Sequence, residues 1–174
     1  NGFRGTVLLD EGTFELLKPL RISTSGVVLS GMDRDKTILI KKGVDRGALL
    51  YIEGENNIAT KDSFKVSSNY VPVNSTTLEL TSTSSITKGS RVFIDRPSTK
   101  EWINSIGCWE FGGGISALGW KPGDVDIRWD RTVTAVNGNT ITLDAPLTMA
   151  LDRQYGVAQI LPYQWTGRIS HSGA

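Results

Sequence analysis

Gly5-Thr-Val-Leu-Leu-Asp-Glu-Gly-Thr-Phe-Glu-Leu16, followed by Pro19-Leu-Arg-Ile22 and Ser25-Gly-Val-Val-Leu-Ser-Gly-Met-Asp33, is the stretch whose reading decides the fold. Its apolar and β-branched runs are short and are punctuated by Gly, Asp, Pro and Ser, which marks strands and turns rather than helix. The set starts again. Val7 to Val28 is 21 residues, Val28 to Leu49 is again 21, and Phe14 to Thr37 is 23. Lys36-Thr-Ile-Leu-Ile40 continues the second set, and Ala48-Leu-Leu-Tyr-Ile-Glu-Gly54 reads as a third start. A period near 20 with several strands per repeat is a solenoid signature. Leucine-rich repeats share the period, but their Leu-x-x-Leu-x-Leu pattern with an Asn or Cys step is missing. A parallel β-helix fits better, because each coil lays its strands on those of the coil before it.

These residues resemble the opening coils of the pectate-lyase-like right-handed parallel β-helix superfamily. There, a strand, a Gly-Thr-aromatic strand and an Ile-x-x-x-Gly-Val-x-Leu-x-Gly segment commonly begin the helix. The resemblance covers residues 3–54 and resumes at 157–174. It implies an all-β fold and a carbohydrate-active parent, and leaves the chemistry open: the fold hosts lyases, hydrolases, epimerases and phage tailspikes. Lyases of this superfamily use an arginine or lysine base, with calcium or another group neutralising the uronate, and hydrolases use carboxylate pairs. No run here matches those motifs, so no catalytic residue is carried over.

Residues 55–155 break the period. Tyr70-Val-Pro-Val73, Thr77-Leu-Glu-Leu-Thr81 and Lys88-Gly-Ser-Arg-Val-Phe-Ile-Asp95 alternate apolar with polar residues. Thr132-Val-Thr-Ala-Val136 and Thr140-Ile-Thr-Leu-Asp144 flank Asn137-Gly-Asn139, the strongest hairpin signal in the chain. The expected organisation is first coils at 1–54, an inserted antiparallel, small β-barrel-like module at 55–155, and a resumed β-helix at 156–174. Lys100 to Ile106 is the best helix candidate and lacks a clear cap.

A long loop, 97–129, holds four of the five tryptophans, Trp102, Trp109, Trp120 and Trp129. Loops of this length inside a domain are often functional. An indole covers the apolar face of a pyranose while polar neighbours bond its hydroxyls. With Lys100, Glu101 and Arg128 these tryptophans are the candidate substrate-binding set. The competing reading makes them packing residues between insert and helix. Asp130 and Arg131, together with Asp95 and Arg96, could serve acid–base chemistry or hold a uronate, against ordinary ion pairs at strand ends. Asp124 and Asp126, in Lys121-Pro-Gly-Asp-Val-Asp126, could ligate calcium, although Pro-Gly-Asp is also a common turn. No other cofactor is expected. His171 is a weak candidate base, Cys108 reads as a packed thiol, and Gly112-Gly-Gly114 lacks the Lys-Ser/Thr of a phosphate loop.

Composition narrows the classes. Charge is balanced at 19 Lys+Arg against 18 Asp+Glu, which offers nucleic acid no basic face. No apolar run approaches the ~20 residues of a membrane helix. One cysteine and one histidine rule out an internal disulfide, a cysteine metal cluster and multi-histidine sites. The opening Asn1-Gly-Phe-Arg-Gly5 reads as mid-domain, so a fragment or trimmed domain is expected. The expected setting is a secreted, periplasmic or cell-surface bacterial-type protein. Its parent would be a polysaccharide lyase or glycosidase, with this chain as scaffold and one cleft wall. The alternative is a non-catalytic carbohydrate-binding or structural β-helix module of the tailspike or adhesin kind. Its partners would be polysaccharide and, at the open coil end, more β-helix or another chain.

Overall fold

The short runs of the opening stretch become three strands, β1 (Gly5–Leu9), β2 (Gly12–Leu16) and β3 (Leu20–Ile22). A second set, β4 (Val27–Gly31), β5 (Thr37–Lys41) and β6 (Leu50–Ile52), lies on them. Every pairing is parallel: Val7 faces Leu29, Phe14 faces Leu39 and Ile22 faces Ile52. This is the stacking of β-helix coils, and like residues fall in line from coil to coil. The computed structural model describes residues 2–60, 62–110 and 118–174. They form two compact units, residues 1–58 with 165–174, and residues 59–164.

The repeat is less regular than its 21-residue spacing suggests. Thr6 pairs with Val28, Gly12 with Thr37 and Leu20 with Leu50, so the offset grows from 22 to 25 to 30 residues around the coil. Two turns absorb the difference. Before β5, Asp33 accepts the backbone N–H groups of Asp35 and Lys36. Before β6, Asp45 pairs with Lys41 and accepts the Gly47 N–H. Lys41 and that N–H hold the Asp45 carboxyl below its ordinary pKa. The run Ala48–Gly54 is therefore no third start. Its β6 is the third face of the second coil. The third coil begins after the excursion, where Gly173 forms a parallel bridge to Val28 and its carbonyl accepts the Leu29 N–H at 2.9 Å.

The second unit is antiparallel. Its strands are β7 (Ile58–Thr60, whose first residue belongs to the first unit), β8 (Phe64–Lys65), β9 (Tyr70–Val71), β10 (Thr77–Glu79), β11 (Arg91–Arg96), β12 (Ile127–Asn137), β13 (Thr140–Leu143), β14 (Leu151–Asp152) and β15 (Gln159–Trp165, whose last residue belongs to the first unit). Seven of them make one sheet in the order β10-β13-β12-β11-β15-β7, with β8 also on β15. β9 pairs separately with β14. The fold is all-β, parallel coils plus an antiparallel sheet. The resumed coil starts later than residue 156: Leu161 in β15 lies opposite Phe93 in an antiparallel ladder. Its two buried residues serve opposite faces: Ile160 joins the apolar cluster, and Tyr163 stacks on Phe93 on the other side. The hairpin forms at Asn137↔Thr140, which puts Gly138 (φ +57°) first in the two-residue turn. α1 (Lys100–Ser105) does have a cap, because the Thr99 hydroxyl accepts the Trp102 N–H.

Alternation decides the core. Val92 and Ile94 of β11, Trp129 and Val133 of β12, Ile141 and Leu143 of β13 and Ile160 of β15 point inward onto Leu78, Leu80 and Leu147. Ile22 is the one buried apolar residue of the first unit among the described residues, while Val7 and Leu8 are more than half exposed. Two coils give each strand few neighbours, and a solenoid gains stability by stacking. Ile94→Ala should therefore lower unfolding stability by about 2–5 kcal/mol and Val7→Ala by under about 1, read by denaturant titration. Backbone amides of β1 to β6 should exchange with solvent at least about tenfold faster than those of β11 and β12.

Candidate functional site

The tryptophans of the 97–129 loop do not form one surface. Trp129 lies on the inward face of β12, 7% exposed, and its indole N–H donates to Thr148 Oγ1 at 2.9 Å. Period-two alternation between Arg128 and Asp130 puts it there, so it is a core residue and not a sugar platform. Trp102, in α1, is half-buried and stacks on Trp120, with ring centroids 6.1 Å apart and planes 16° apart. The Arg96 guanidinium sits 4.6 Å from the Trp102 ring centroid. Arg96 is buried, and its Nη1 has no hydrogen-bond partner among the described residues. Burial lowers its pKa while Asp152 pulls the other way. The indole face thus offsets part of the desolvation of a buried cation. Trp109 is 58% exposed, and Lys100 and Glu101 lie exposed in the first turn of α1. Gly112-Gly-Gly114 falls outside the described residues.

The charged candidates sort by face. On the outward face of the sheet, Arg128 grips Asp95 with two bonds of 2.6 Å and lies 4.7 Å over the Phe93 ring. That bidentate pair raises the Arg128 pKa. Asp130 accepts the Tyr163 hydroxyl at 2.7 Å and Arg91 Nη2 at 3.2 Å, while Arg91 Nε donates to the Tyr163 oxygen at 3.0 Å. Tyr163 stacks on Phe93 with centroids 4.0 Å apart. Burial first, then the bond to Asp130, push its phenol above the usual range. Arg91, Phe93 and Tyr163 went unnoticed in the sequence. The signal was alternation in Arg91-Val-Phe-Ile-Asp-Arg96, which puts Arg91, Phe93 and Asp95 on one face.

Arg131 is a clamp. Its guanidinium donates to the carbonyls of Asp130, Ala145 and Pro146 at 2.7–3.0 Å, tying β12 to the segment after β13. Those bonds occupy the group proposed for catalysis. Asp124 accepts the Lys121 N–H, and Asp126 accepts both the N–H and the hydroxyl of Ser98. Asp124 closes a local turn, Asp126 ties its segment to Ser98, and no group of three metal-ligating side chains occurs among the described residues. His171 has a left-handed backbone (φ +55°) and packs tilted against Phe3, in the first unit. Asp130 and Arg131 belong to the second. Cys108 is half-buried, 3.7 Å from the Ile106 carbonyl.

The fifth tryptophan has the better setting. Trp165 ends β15 in the first unit, half-buried beside a groove of about 440 Å³ that Glu53, Asn56 and Arg168 share, between Ile52 and Ile169. Its indole N–H donates to the Glu55 carbonyl at 2.6 Å, and the Arg168 guanidinium lies 5.4 Å from the ring centroid. A strap holds the ring in place. Glu55 N–H donates to the Gly167 carbonyl, Gly167 N–H to Asn57 Oδ1, and Asn57 Nδ2 to Thr166 Oγ1, all at 2.8–3.1 Å. A Cβ on Gly54 would lie 1.9 Å from the Gly167 oxygen, so both glycines are required for the backbones to approach. Glu53 pairs with Arg21, which covers the Tyr51 ring. The fixed indole thus offers an apolar face with amide, carboxylate and guanidinium groups around it.

Arg131→Ala should destabilise the chain by about 2–4 kcal/mol, the loss of three charge-assisted bonds at one guanidinium, measured by denaturant unfolding. Asp144 accepts the Thr132 N–H, which holds its carboxyl below the ordinary carboxylate range. A depressed folded pKa contributes stability above the unfolded value and loses it as pH falls through the folded one. Asp144→Asn should therefore flatten the loss of stability below about pH 4 and leave the neutral range with the same slope.

No protein-family model and no curated protein matches the chain. Solved structures similar to it include three phage tailspikes. The Gp54 tailspike of Acinetobacter baumannii bacteriophage AP22, solved in complex with A. baumannii capsular saccharide, is 10% identical at a TM-score of 0.46, over 91% of this chain and 22% of the tailspike. The tailspike gp49 of Pseudomonas phage LKA1 is 19% identical at 0.45, over 90% and 23%. The tailspike gp61 of Pseudomonas phage phi297 is 13% identical at 0.47, over 97% and 26%. The chain spans about a quarter of the length of these tailspikes.

Proposed function

We propose that this chain is a non-catalytic, saccharide-binding scaffold segment of a β-helix protein that works outside the bacterial cytoplasm. The Trp165 groove is the observation that supports it. The indole is fixed before any ligand arrives, by its own N–H bond and by the strap, so binding orders little and loses little entropy. One half-exposed ring offers apolar area to a sugar face, and Asn56, Glu53 and Arg168 offer donors and acceptors at its rim. The duties of Arg131, which holds three carbonyls, and of Asp130, bonded to Tyr163 and Arg91, favour binding and support over acid–base chemistry.

Calorimetric titration of the whole chain with bacterial capsular, plant and algal polysaccharides tests this reading. At least one should bind, Trp165→Ala should weaken it at least about tenfold, and Trp109→Ala should change it less than about twofold. Trp165→Tyr keeps an aromatic face and should retain part of the affinity, which separates loss of platform from loss of fold. Unchanged binding in Trp165→Ala would refute the assignment.

A further inference from the structure

A second groove lies wholly within the second unit, about 340 Å³ in volume, with Asp62, Ser85, Ser90, Arg91, Tyr163 and Gln164 among its lining residues. It includes the outward end of the Arg91–Asp130–Tyr163 network. Arg91 is held along one edge, Nε by the Tyr163 oxygen at 3.0 Å and Nη2 by Asp130 at 3.2 Å, while its side chain stays 42% exposed. Tyr163 is fixed in turn by its 2.7 Å bond to Asp130 and by Phe93 stacked at 4.0 Å. The turn that lines the groove is also pinned. Ser90 Oγ accepts the Thr87 N–H at 2.9 Å, and Gly89 N–H donates to the Val133 carbonyl at 2.7 Å. Gly89 has φ +90°, and the position its Cβ would take is open space.

We propose that this groove is a saccharide subsite selective for neutral sugars, independent of the Trp165 platform. Adjacent hydroxyls on a sugar ring each need a donor and an acceptor. Arg91 supplies donors in a fixed plane, Asp62 supplies acceptors, and the Ser85 hydroxyl and Gln164 amide supply both. Charge sets the selectivity. Asp130 pairs with Arg91, so among the described lining residues Asp62 carries the charge that has no ion-pair partner. It repels a uronate carboxylate and accepts from a neutral hydroxyl.

Backbone amide and indole resonances of the whole chain, titrated separately with neutral hexoses, N-acetylhexosamines and hexuronic acids, test the subsite. The expected result is movement of the Gly89, Ser90 and Gln164 amides with at least one neutral class and none with hexuronates. Asp62→Asn should weaken the neutral sugar about tenfold and admit hexuronates. Asp62 is exposed, so this variant should fold as the parent does. Silence at all three amides with every probe, or hexuronates moving them as neutral sugars do, overturns the proposal. The Trp165 indole resonance reads the platform separately. Shifts there with the three amides silent sink the subsite and leave the platform standing. Shifts at the amides with Trp165 silent support the subsite and count against the platform.

Discussion

The close approach of Gly54 and Gly167 is the constraint on which the first unit turns. The chain leaves the coils after Gly54 and returns with Trp165, more than a hundred residues later. The two passes meet backbone to backbone, at a distance that admits no side chain on either glycine. That contact closes the excursion. It brings Ser170 and Gly173 onto β4 in parallel register, where the Ser170 carbonyl accepts the Gly26 N–H. It also sets the Trp165 indole against the Glu55 carbonyl. Fold continuity and candidate site therefore rest on the same few backbone atoms.

The second unit obeys a different rule. Its long strands have two faces, and the sequence alternates to match. Inward, β11 and β12 give Val92, Ile94, Trp129 and Val133 to one apolar cluster. Outward, the same strands give Arg91, Phe93, Asp95, Arg128 and Asp130, which pair and stack into a ladder of cations, rings and carboxylates. Two inward arginines break the apolar pattern and are met differently: Arg131 by three carbonyls, Arg96 by an indole face. Charges inside a sheet are tolerated when such partners are built in.

Much of the fold was legible in the sequence. Short strands, a period near 21 and the Asn137-Gly-Asn139 hairpin point to parallel coils broken by an antiparallel module. The repeat count was misread because Leu49 echoes Val28 at the right spacing, while turns at Asp33 and Asp45 stretch the coil until β6 pairs with β3 instead. The site was harder to read. Clustering of tryptophan in sequence says nothing about facing. Trp129 points into the core because its strand alternates, and Trp102 with Trp120 are spent on each other and on Arg96. Trp165 stood alone in the sequence and drew no notice. Its partners at Glu53 and Asn56 lie more than a hundred residues away, and no local pattern announces a contact of that span.

The most direct test of the account is the structure of the whole chain crystallised with an oligosaccharide to which it has been shown to bind. The account predicts a sugar ring lying flat on the Trp165 indole, with its hydroxyls bonded to Asn56, Glu53 or Arg168. A sugar seated instead on Trp102, Trp109 or Trp120, with the Trp165 groove empty, would contradict it.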